Sequence, residues 1–437
     1  FSYKEINFLI ENNNVTEVLL AMPSISRKKK NEIIDKLNKL SVHVRSLPSV
    51  SKIAEGKVKI DDLLEIDIRD LLGRDSVRPN QNLLKINITG KVILVTGAGG
   101  SIGSELCRQV ILLKPNKLIL FEISEPALYQ IEQELLKIKD LKIEIFSVLG
   151  SVRDKVRLNK VFNRFSVQTI YHAAAYKHVP LVEFNQTEGI LNNAIGTWSI
   201  AEAAIKNHVE TFVLISTDKA VRPTNVMGAS KRIAELILQA FSKNENNTCF
   251  SMVRFGNVLD SSGSVIPTFK RQIKEGGPVT VTDKNIVRYF MTIPEAVELV
   301  IQAGSMGNGG DVFVLDMGEP VLIYDLAVKM IQLSGLKVLN EENPEGDIEI
   351  QFTGLRPGEK LYEELLVGGN VSPTDNKLIM SAQEEMIEWE ILEPMLYKLL
   401  DSLLKSDHEM SRDLLIKIVP EFKPDSEIKD LLYNSEN

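Results

Sequence analysis

Side chains that could carry out chemistry cluster in the segment ISTDKAVRPTNVMGASKRIAE, which spans residues 215–235. The segment leaves an apolar run that predicts a β-strand and then enters a helical pattern. Thr217, Asp218 and Lys219 place a hydroxyl, a carboxyl and an amine next to one another, so they could bind a substrate oxygen and act as acid and base. Met227 and Lys231 follow in the helical pattern, and the thioether of Met227 is too weak an acceptor to take a proton.

A second cluster is the glycine-rich segment TGAGGSIG, which follows the apolar run KVILV and precedes a helical pattern. Gly97, Gly100 and Gly103 permit a tight turn and a close approach of the backbone to a pyrophosphate. The amide groups and the dipole at the N-terminus of the following helix favour the same anion. The pattern therefore predicts a dinucleotide-binding turn, in which Ser101 and Ile102 lie between the last two glycines.

Three further segments supply candidates for the same dinucleotide site. The second strand ends at Glu122, where a carboxylate can bind ribose hydroxyls and would repel the extra phosphate of NADP. No arginine or lysine follows at once in EISEPALYQ, so the sequence favours NAD. Ser151 and Val152 after the third strand are candidates for adenine contacts. Small residues after the fourth strand would either let the backbone pass close to the cofactor or serve packing alone, and they are Ala173, Ala174 and Ala175.

Apolar strands alternate with helical patterns from residue 89 onward, which predicts a parallel sheet covered by helices on both faces. The expected fold class is α/β, with a Rossmann-type doubly wound sheet and a smaller C-terminal substrate-binding domain. The predicted domains are a partial N-terminal α/β segment at 1–59, a linker at 60–88, the NAD-binding domain at 89–256, the substrate domain at 257–370, part of which returns to the sheet, and a helical extension at 371–437.

The composition argues against several classes of protein. The chain has 437 residues, of which 44% are hydrophobic, and its net charge of −8 argues against nucleic-acid binding. Two cysteines and five scattered histidines form no metal-ligand pattern, so neither a metal site nor a disulfide framework is predicted, and a reducing cytoplasm fits. No run of about 18 apolar residues is present to span a membrane. Because the sequence begins at Phe1 inside a helical pattern, we expect that an upstream part precedes it.

Five segments in order carry a resemblance to a known family: TGAGGSIGSELCRQ, HAAAYKHVPLVE, ISTDKAVRPTNVMGASK, RFGNVLDSSGSVIP and GLRPGEKLYEELL. Together they resemble the extended short-chain dehydrogenase/reductase superfamily, and within it the large, membrane-anchored UDP-N-acetylglucosamine 4,6-dehydratases of bacterial polysaccharide and glycan biosynthesis. The resemblance covers residues 88–370. It implies tightly bound, recycled NAD, UDP-N-acetylglucosamine as the substrate, and a catalytic part at the cytoplasmic face of the bacterial inner membrane. It also implies a homo-oligomer formed through helices near 187–207 and 228–242.

The resemblance assigns roles to the residues of the first segment described. Thr217 matches the hydroxyl residue that binds the sugar 4-oxygen, and Lys231 matches the lysine that binds the nicotinamide ribose. Asp218 and Lys219 match the acid and the base of elimination, which require a raised pKa for the carboxyl and a lowered pKa for the amine. Met227 stands where most relatives have tyrosine, and the membrane-anchored group is similar in having methionine there. Another group or a bound water must therefore take the proton of the 4-hydroxyl.

A UDP-sugar presents two phosphates and a uracil, which basic and polar residues outside the glycine turn could bind. Candidates for contacts with phosphate or sugar are Lys177, Asn257, Arg288 and Arg356. The resemblance implies that Glu359 meets the ribose of uridine. Arg254 is equally compatible with a substrate contact and with a structural ion pair. Asp260 stands where relatives usually have glycine.

Two other functions are compatible with the same residues. A UDP-sugar epimerase is also NAD-dependent and shares the STDKA loop, but it needs no acid for a 6-hydroxyl. A nucleotide-binding regulator without catalysis would keep the glycine turn, although the intact Thr217, Asp218 and Lys219 argue against it. Formation of a methyl group at C6 of the sugar distinguishes a dehydratase from both.

Overall fold

The computed structural model describes residues 6–13, 15–22, 25, 27–38, 42–46, 64–65, 79–138, 142–244, 247–261, 263–364, 371–424 and 426–433. The chain divides into two compact units, each assembled from segments that are distant in the sequence. The sheet unit comprises Arg78–Gly256, Ile293–Met317 and Arg356–Asn437. The second unit comprises Phe1–Val77, Asn257–Thr292 and Gly318–Leu355. The predicted linker at 60–88 lies largely outside the described residues.

The secondary structure is mixed α/β throughout. The strands are β1 (Glu17–Leu20), β2 (His43–Ser46), β3 (Leu64–Glu65), β4 (Val92–Thr96), β5 (Lys117–Glu122), β6 (Glu144–Leu149), β7 (Thr169–His172), β8 (Thr211–Ile215), β9 (Cys249–Arg254), β10 (Asn257–Val258), β11 (Val279–Val281), β12 (Val287–Arg288), β13 (Phe290–Met291), β14 (Asp311–Leu315), β15 (Val321–Leu322), β16 (Val338–Leu339), β17 (Ile348–Phe352), β18 (Val371–Pro373) and β19 (Ile379–Ala382). The α-helices are α1 (Ile6–Asn13), α2 (Arg27–Asn38), α3 (Gln81–Ile86), α4 (Ser101–Leu112), α5 (Glu125–Leu135), α6 (Lys155–Phe165), α7 (Val179–Glu183), α8 (Gln186–Ile190), α9 (Gly196–Lys206), α10 (Val226–Lys243), α11 (Val265–Lys274), α12 (Ile293–Met306), α13 (Ile323–Leu333), α14 (Trp389–Leu404) and α15 (His408–Ile418).

The sheet unit is organised around a nine-stranded sheet in the order β18-β19-β14-β9-β8-β7-β4-β5-β6. Strands β4 to β9 and β14 pair in parallel, whereas β19 and β18 join one edge in antiparallel fashion. The chain runs outward from β4 to β6 and then crosses back to β7, so the strand order reverses between β4 and β7. In such sheets a ligand binds at the carboxyl ends of the strands on either side of this reversal. This arrangement confirms the predicted Rossmann-type doubly wound α/β fold.

Burial explains why the central strands are continuous apolar runs rather than alternating ones. Every residue of β4 and of β8 is buried, because helices cover both faces of the sheet. On α4 the buried side chains recur at helical spacing, at Leu106, Val110 and Ile111. The helices therefore dock by one apolar face each, and the loops at the strand ends are held in fixed positions.

The C-terminal segment differs from the predicted helical extension. Residues 371–382 form β18 and β19 before α14 and α15 begin. Helix α14 then packs on α9 and α10: Trp389 lies 4.4 Å from Phe241 and 5.9 Å from Trp198 between ring centroids, and Tyr397 lies 5.1 Å from Trp198. Part of the apolar surface of α9 and α10, the helices through which the resemblance predicts an oligomer, is thus covered within the chain itself, and the oligomer stays a prediction.

The second unit is built from smaller sheets. Its strands pair in the orders β1-β2-β3, β11-β17-β16, β10-β13 and β12-β15. The order helix, strand, helix, strand in residues 6–46 follows the predicted pattern. A small apolar core lies there and consists of Leu20, Ile33, Ile34, Leu37, Val42, Val44 and Leu333. Within the described part of the chain, none of the helices combines the length and the apolar character that crossing a membrane requires.

Candidate active site

The glycine turn joins β4 to α4 and has the backbone conformation that the sequence predicts. Gly97 has a φ of +64°, in the left-handed region that glycine favours. A Cβ at Gly97 would lie 2.8 Å from the backbone nitrogen of Ala174, and a Cβ at Gly103 would overlap the carbonyl oxygen of Gly97. Helix α4 begins directly after Gly100, so the amide groups of its first turn belong to this glycine turn.

A cleft of about 250 Å³ opens beside the glycine turn, at the reversal of the strand order. The candidates that line it are Gly97, Gly100, Glu122, Ser151, Val152, Ala173, Ala174 and Ala175. The carboxylate of Glu122 is oriented by the backbone, because it accepts hydrogen bonds from the amides of Gly99 (3.0 Å), Ile123 (2.9 Å) and Ser124 (3.0 Å). A carboxylate at the end of β5, glycines at the turn and small residues after β7 together fit the ribose and pyrophosphate of NAD.

Two residues of the cleft, Tyr176 and Asn192, were not anticipated from the sequence. Residues Leu191–Ile195 form a π-helical turn between α8 and α9, which shifts the register of the helix. There the side chain of Asn193 accepts a hydrogen bond from the amide of Tyr176 (2.8 Å) and donates one to its carbonyl oxygen (2.9 Å). Asn192 contributes to the cleft wall. Two adjacent asparagines inside an otherwise apolar helix were the available signal.

The acid–base candidates lie together at the carboxyl end of β8. Thr217 donates a hydrogen bond from Oγ1 to Oδ1 of Asp218 (2.8 Å), and Nζ of Lys219 lies 3.1 Å from the same oxygen. Nζ of Lys219 also lies 2.7 Å from Oε1 of Glu363, a residue that was not anticipated. Glu363 belongs to the GLRPGEKLYEELL segment, and its position beyond the two candidates there was the only sequence signal.

The surroundings of Asp218 raise the pKa of its carboxyl above that of an ordinary aspartate. Burial raises the pKa of Asp218 to about 7, the negative charge of Glu363 adds to the rise, and Lys219 opposes it. Within the described residues no hydrogen bond donor reaches Oδ2 of Asp218, so a proton can reside there. Burial also lowers the pKa of Lys177, and the charge of Lys219 lowers it further.

Lys231 is buried on the first turns of α10, where its ammonium donates a hydrogen bond to the carbonyl oxygen of Ile215 (2.7 Å). Burial lowers the pKa of Lys231 to about 8, against the opposing effect of Glu235. Met227 is 2% exposed and belongs to the apolar core of the sheet unit. The thioether of Met227 therefore packs in the core and adds no proton acceptor to the site.

A buried histidine braces the ends of β4 and β7 next to these groups. Nδ1 of His172 lies 2.7 Å from Oγ1 of Thr96, and Nε2 lies 3.0 Å from Oγ1 of Thr197. Burial lowers the pKa of His172 to about 3, and the charge of Lys231 lowers it further. The ring is therefore neutral and links two hydroxyls, a structural role that the sequence did not indicate.

The GLRPGEK turn docks on the N-terminus of α10. The side chain of Asn225, which caps α10, donates a hydrogen bond to the carbonyl oxygen of Gly358 (2.9 Å). Oε2 of Glu359 accepts a hydrogen bond from the amide of Arg356 (3.1 Å), whose side chain is exposed. Nζ of Lys360 donates to the carbonyl oxygen of Val221 (3.2 Å). This docking holds the segment that carries Glu363 against the loop after β8.

The remaining substrate candidates belong to the second unit. Asn257 begins β10, which pairs with β13, and Arg288 ends β12, where its Nη1 donates a hydrogen bond to the carbonyl oxygen of Val287 (2.8 Å). Asp260 has a φ of +57°, so the aspartate keeps the left-handed conformation that glycine adopts most easily.

Arg254 is a structural residue, which decides between the two alternatives left open by the sequence. It is 1% exposed and binds both carboxylate oxygens of Glu235, at 2.8 Å from Nε and 2.6 Å from Nη2. Its Nη1 lies 2.6 Å from Glu384, and Arg232 completes the buried network at 3.1 Å from Glu235. The network joins β9, α10 and the segment after β19.

Comparison with known proteins assigns the chain to one family. Residues 93–384, about two thirds of the chain, match the family model described as polysaccharide biosynthesis protein. The capsular polysaccharide biosynthesis protein CapD of Staphylococcus aureus is 49% identical over 370 residues, which are 85% of this chain and 61% of CapD. The chain spans 61% and 58% of the lengths of two curated relatives that it matches at 49% and 45% identity.

Solved structures agree on the fold. The X-ray structure of Pen from Bacillus thuringiensis is 36% identical, with a TM-score of 0.57 over 64% of this chain and 82% of Pen. The crystal structure of DesIV, a dTDP-glucose 4,6-dehydratase from Streptomyces venezuelae with NAD and TYD bound, is 20% identical, with a TM-score of 0.51 over 62% of this chain and 87% of DesIV. At that identity the second likeness concerns the fold alone.

Proposed function

The chain belongs to the polysaccharide biosynthesis protein family, and its curated relatives include proteins named as capsular polysaccharide biosynthesis protein and as UDP-glucose 4-epimerase. From this premise we propose that it is an NAD-dependent UDP-N-acetylglucosamine 4,6-dehydratase. The product would be a UDP-linked 4-keto-6-deoxy-N-acetylhexosamine. The observation that carries the proposal is the buried carboxyl of Asp218 beside Lys219, with a pKa raised to about 7 by burial and by Glu363. Dehydration needs a protonated acid at neutral pH, and an ordinary aspartate is ionised there.

The residues of the site divide the chemistry between them. When bound, NAD would supply reversible two-electron oxidation of the sugar, with the electrons withdrawn at C4 and returned at C6. A ketone at C4 makes the proton on C5 acidic, and Lys219 removes that proton. Asp218 donates its proton to the departing 6-hydroxyl, which leaves as water. Thr217 binds the 4-oxygen, and Lys231 orients the nicotinamide ribose.

UDP-N-acetylglucosamine is proposed as the substrate because of the family resemblance and because the protein has basic side chains that can bind its phosphates. Lys177, Arg288 and Arg356 can bind phosphate, and Asn257 and Glu359 can bind sugar or ribose hydroxyls. On the resemblance we also propose that the protein forms a homo-oligomer and is attached to the cytoplasmic face of the inner membrane.

The proposed function is tested by proton NMR of the product formed by purified protein from UDP-N-acetylglucosamine and NAD. A new C6 methyl doublet is expected. A 4-epimer without a methyl signal would identify the protein as an epimerase. Binding of NAD with no conversion of the sugar would identify it as a regulator.

A second prediction concerns the choice of cofactor. Because the carboxylate of Glu122 lies where the ribose 2′-position is expected, the protein should bind NAD more tightly than NADP. Replacing Glu122 with alanine removes the repulsion of a 2′-phosphate, so the preference should narrow by about tenfold, or about 1.4 kcal/mol. Isothermal titration calorimetry with both cofactors measures it. Glu125→Ala, an exposed carboxylate in the first turn of α5, is the matched control and should leave the preference unchanged. Equal binding of NAD and NADP by the unaltered protein would contradict this role of Glu122.

A further inference from the structure

Lys219 is held between two carboxylates that come from different parts of the chain. Its Nζ lies 3.1 Å from Oδ1 of Asp218 and 2.7 Å from Oε1 of Glu363. The side chains of Asp218 and Glu363 are 0% and 4% exposed. While both ion pairs persist, the nitrogen of Lys219 carries three protons and has no lone pair to accept another. A base at this position must therefore first pass a proton to a neighbour.

We propose that Glu363 is a positioning residue that accepts a proton from Lys219 before elimination and supplies one to Asp218 after it. This inference rests on the proposed dehydratase function. Among the described contacts of Lys219 are two carboxylates, and Glu363 makes the shorter ion pair of the two. Asp218 must already hold a proton to act as the acid, so Glu363 is the carboxylate left to receive the proton of Lys219.

The proton transfers of the elimination step balance. One N–H proton of Lys219 moves to Glu363, which leaves a neutral amine and a neutral carboxyl. The amine takes the C5 proton, the C5 electron pair forms the C5–C6 double bond, and the 6-hydroxyl leaves as water with the proton of Asp218. Glu363 then returns its proton to Asp218. The cluster ends the elimination step as it began, with Lys219 as ammonium, Glu363 as carboxylate and Asp218 protonated. Over the whole turnover the 4-hydroxyl gives up one proton when C4 is oxidised and C5 regains one when C6 is reduced, so the net loss from the sugar is one water.

The charges around the cluster support the same distribution of protons. Two buried carboxylates and one ammonium leave an excess negative charge, which a proton on Asp218 neutralises. Burial raises the pKa of Asp218, and the negative charge of Glu363 raises it further. Among the described residues, Lys177 and Lys360 also lie near the cluster. Burial lowers the pKa of both lysines, and Lys360 donates its hydrogen bond to the carbonyl oxygen of Val221.

The decisive variant is Glu363→Gln, because glutamine keeps the shape of the side chain but cannot accept the proton of Lys219. We expect kcat to fall about a hundredfold while KM for the sugar nucleotide changes little. Because the negative charge next to Asp218 is lost, the pKa of Asp218 falls, so the alkaline limb of the pH–rate profile should move to lower pH. Glu364→Gln is the matched control, since Glu364 is the next residue and forms an exposed pair with Arg222 at 3.3 Å. It should change neither kcat nor the pH profile.

An infrared titration and a second variant test the inference further, and the titration does not depend on turnover. Infrared spectroscopy of the carboxyl stretch, assigned with Asp218→Asn, should show Asp218 titrating near pH 7 in the unaltered protein and at lower pH in Glu363→Gln. Glu363→Asp should keep the high pKa of Asp218 but slow turnover, because the shorter side chain withdraws from Lys219. An unmoved titration of Asp218 together with kcat within about twofold of the unaltered enzyme would overturn the inference. Failure of the unaltered protein to form any methyl product would instead overturn the proposed function, and the infrared titration would still decide whether the two carboxyls are coupled.

Discussion

Replacement of Lys219 by methionine is expected to slow dehydration about a hundredfold to ten-thousandfold, the usual contribution of a general base. Methionine fills a similar volume but has no group that can remove a proton from C5. The glycine turn and Lys231 remain, so binding of the cofactor should persist. Within the described residues, the other amines near the cluster are Lys177 and Lys360, and Lys360 donates its hydrogen bond to a backbone carbonyl.

The measurement is a single-turnover reaction in deuterated water, with the deuterium at C5 and the C6 methyl signal followed by NMR. Wild-type protein should exchange the C5 hydrogen and form the methyl group, and Lys219→Met should do neither at a comparable rate. Lys206→Met, at the exposed C-terminal end of α9, controls for the loss of a lysine. Dehydration by Lys219→Met at a near-normal rate would show that the base is another group.

Replacement of Arg254 by methionine is expected to lower the free energy of unfolding of the sheet unit by about 3–5 kcal/mol, the typical cost of removing one partner from a buried ion pair. Among the described ion pairs of Glu235 and Glu384, those with Arg232 would then remain, at a site secluded from water. Burial alone raises the pKa of Glu235, but Arg254, Arg232 and Ser216 together lower it to about 2. Without Arg254, most of the attraction that keeps the buried carboxyl of Glu235 ionised is lost.

Chemical denaturation followed by tryptophan fluorescence measures this effect, because both tryptophans of the chain, Trp198 and Trp389, lie in the sheet unit. Arg153→Met is the matched control, since its pair with Glu188 at 2.8 Å is partly exposed and such pairs contribute about 0–1 kcal/mol. A loss for Arg254→Met as small as that of the control would contradict the structural role of the network.

The same buried network should make the stability of the fold depend on pH. The folded pKa of Glu235 is depressed from its ordinary value of 4.5 to about 2, so its ionised form stabilises the fold at neutral pH. That contribution should be present above pH 4.5 and should be lost as the pH falls toward 2. In Arg254→Met the pKa of Glu235 rises, so the acid-induced loss of stability should shrink. The denaturation midpoints of the unaltered protein and of Arg254→Met, measured between pH 5 and pH 2, test this difference.

The sequence by itself determined the features that depend on neighbouring residues. Continuous apolar runs identified β4, β5 and β8 because parallel strands are buried on both faces. Glycines at the end of β4 identified the turn beside the cleft, since the required backbone angles and close contacts exclude larger residues. The segment from Thr217 to Lys219 was predicted to lie at a strand end, where acid and base chemistry is possible, because strand boundaries are visible as the end of an apolar run.

Only the tertiary structure decided which distant residues complete these features. Glu363 reaches Lys219 because the GLRPGEK turn docks on the cap of α10, a contact that no local pattern encodes. The role of Arg254 depends on carboxylates that α10 and the segment after β19 deliver to it. Residues 371–382 became strands because the edge of the sheet offered β14 as a pairing partner, which their own sequence does not specify. In each case the deciding energy is the pairing of buried polar groups across the fold, and such pairing depends on spatial proximity rather than on sequence spacing.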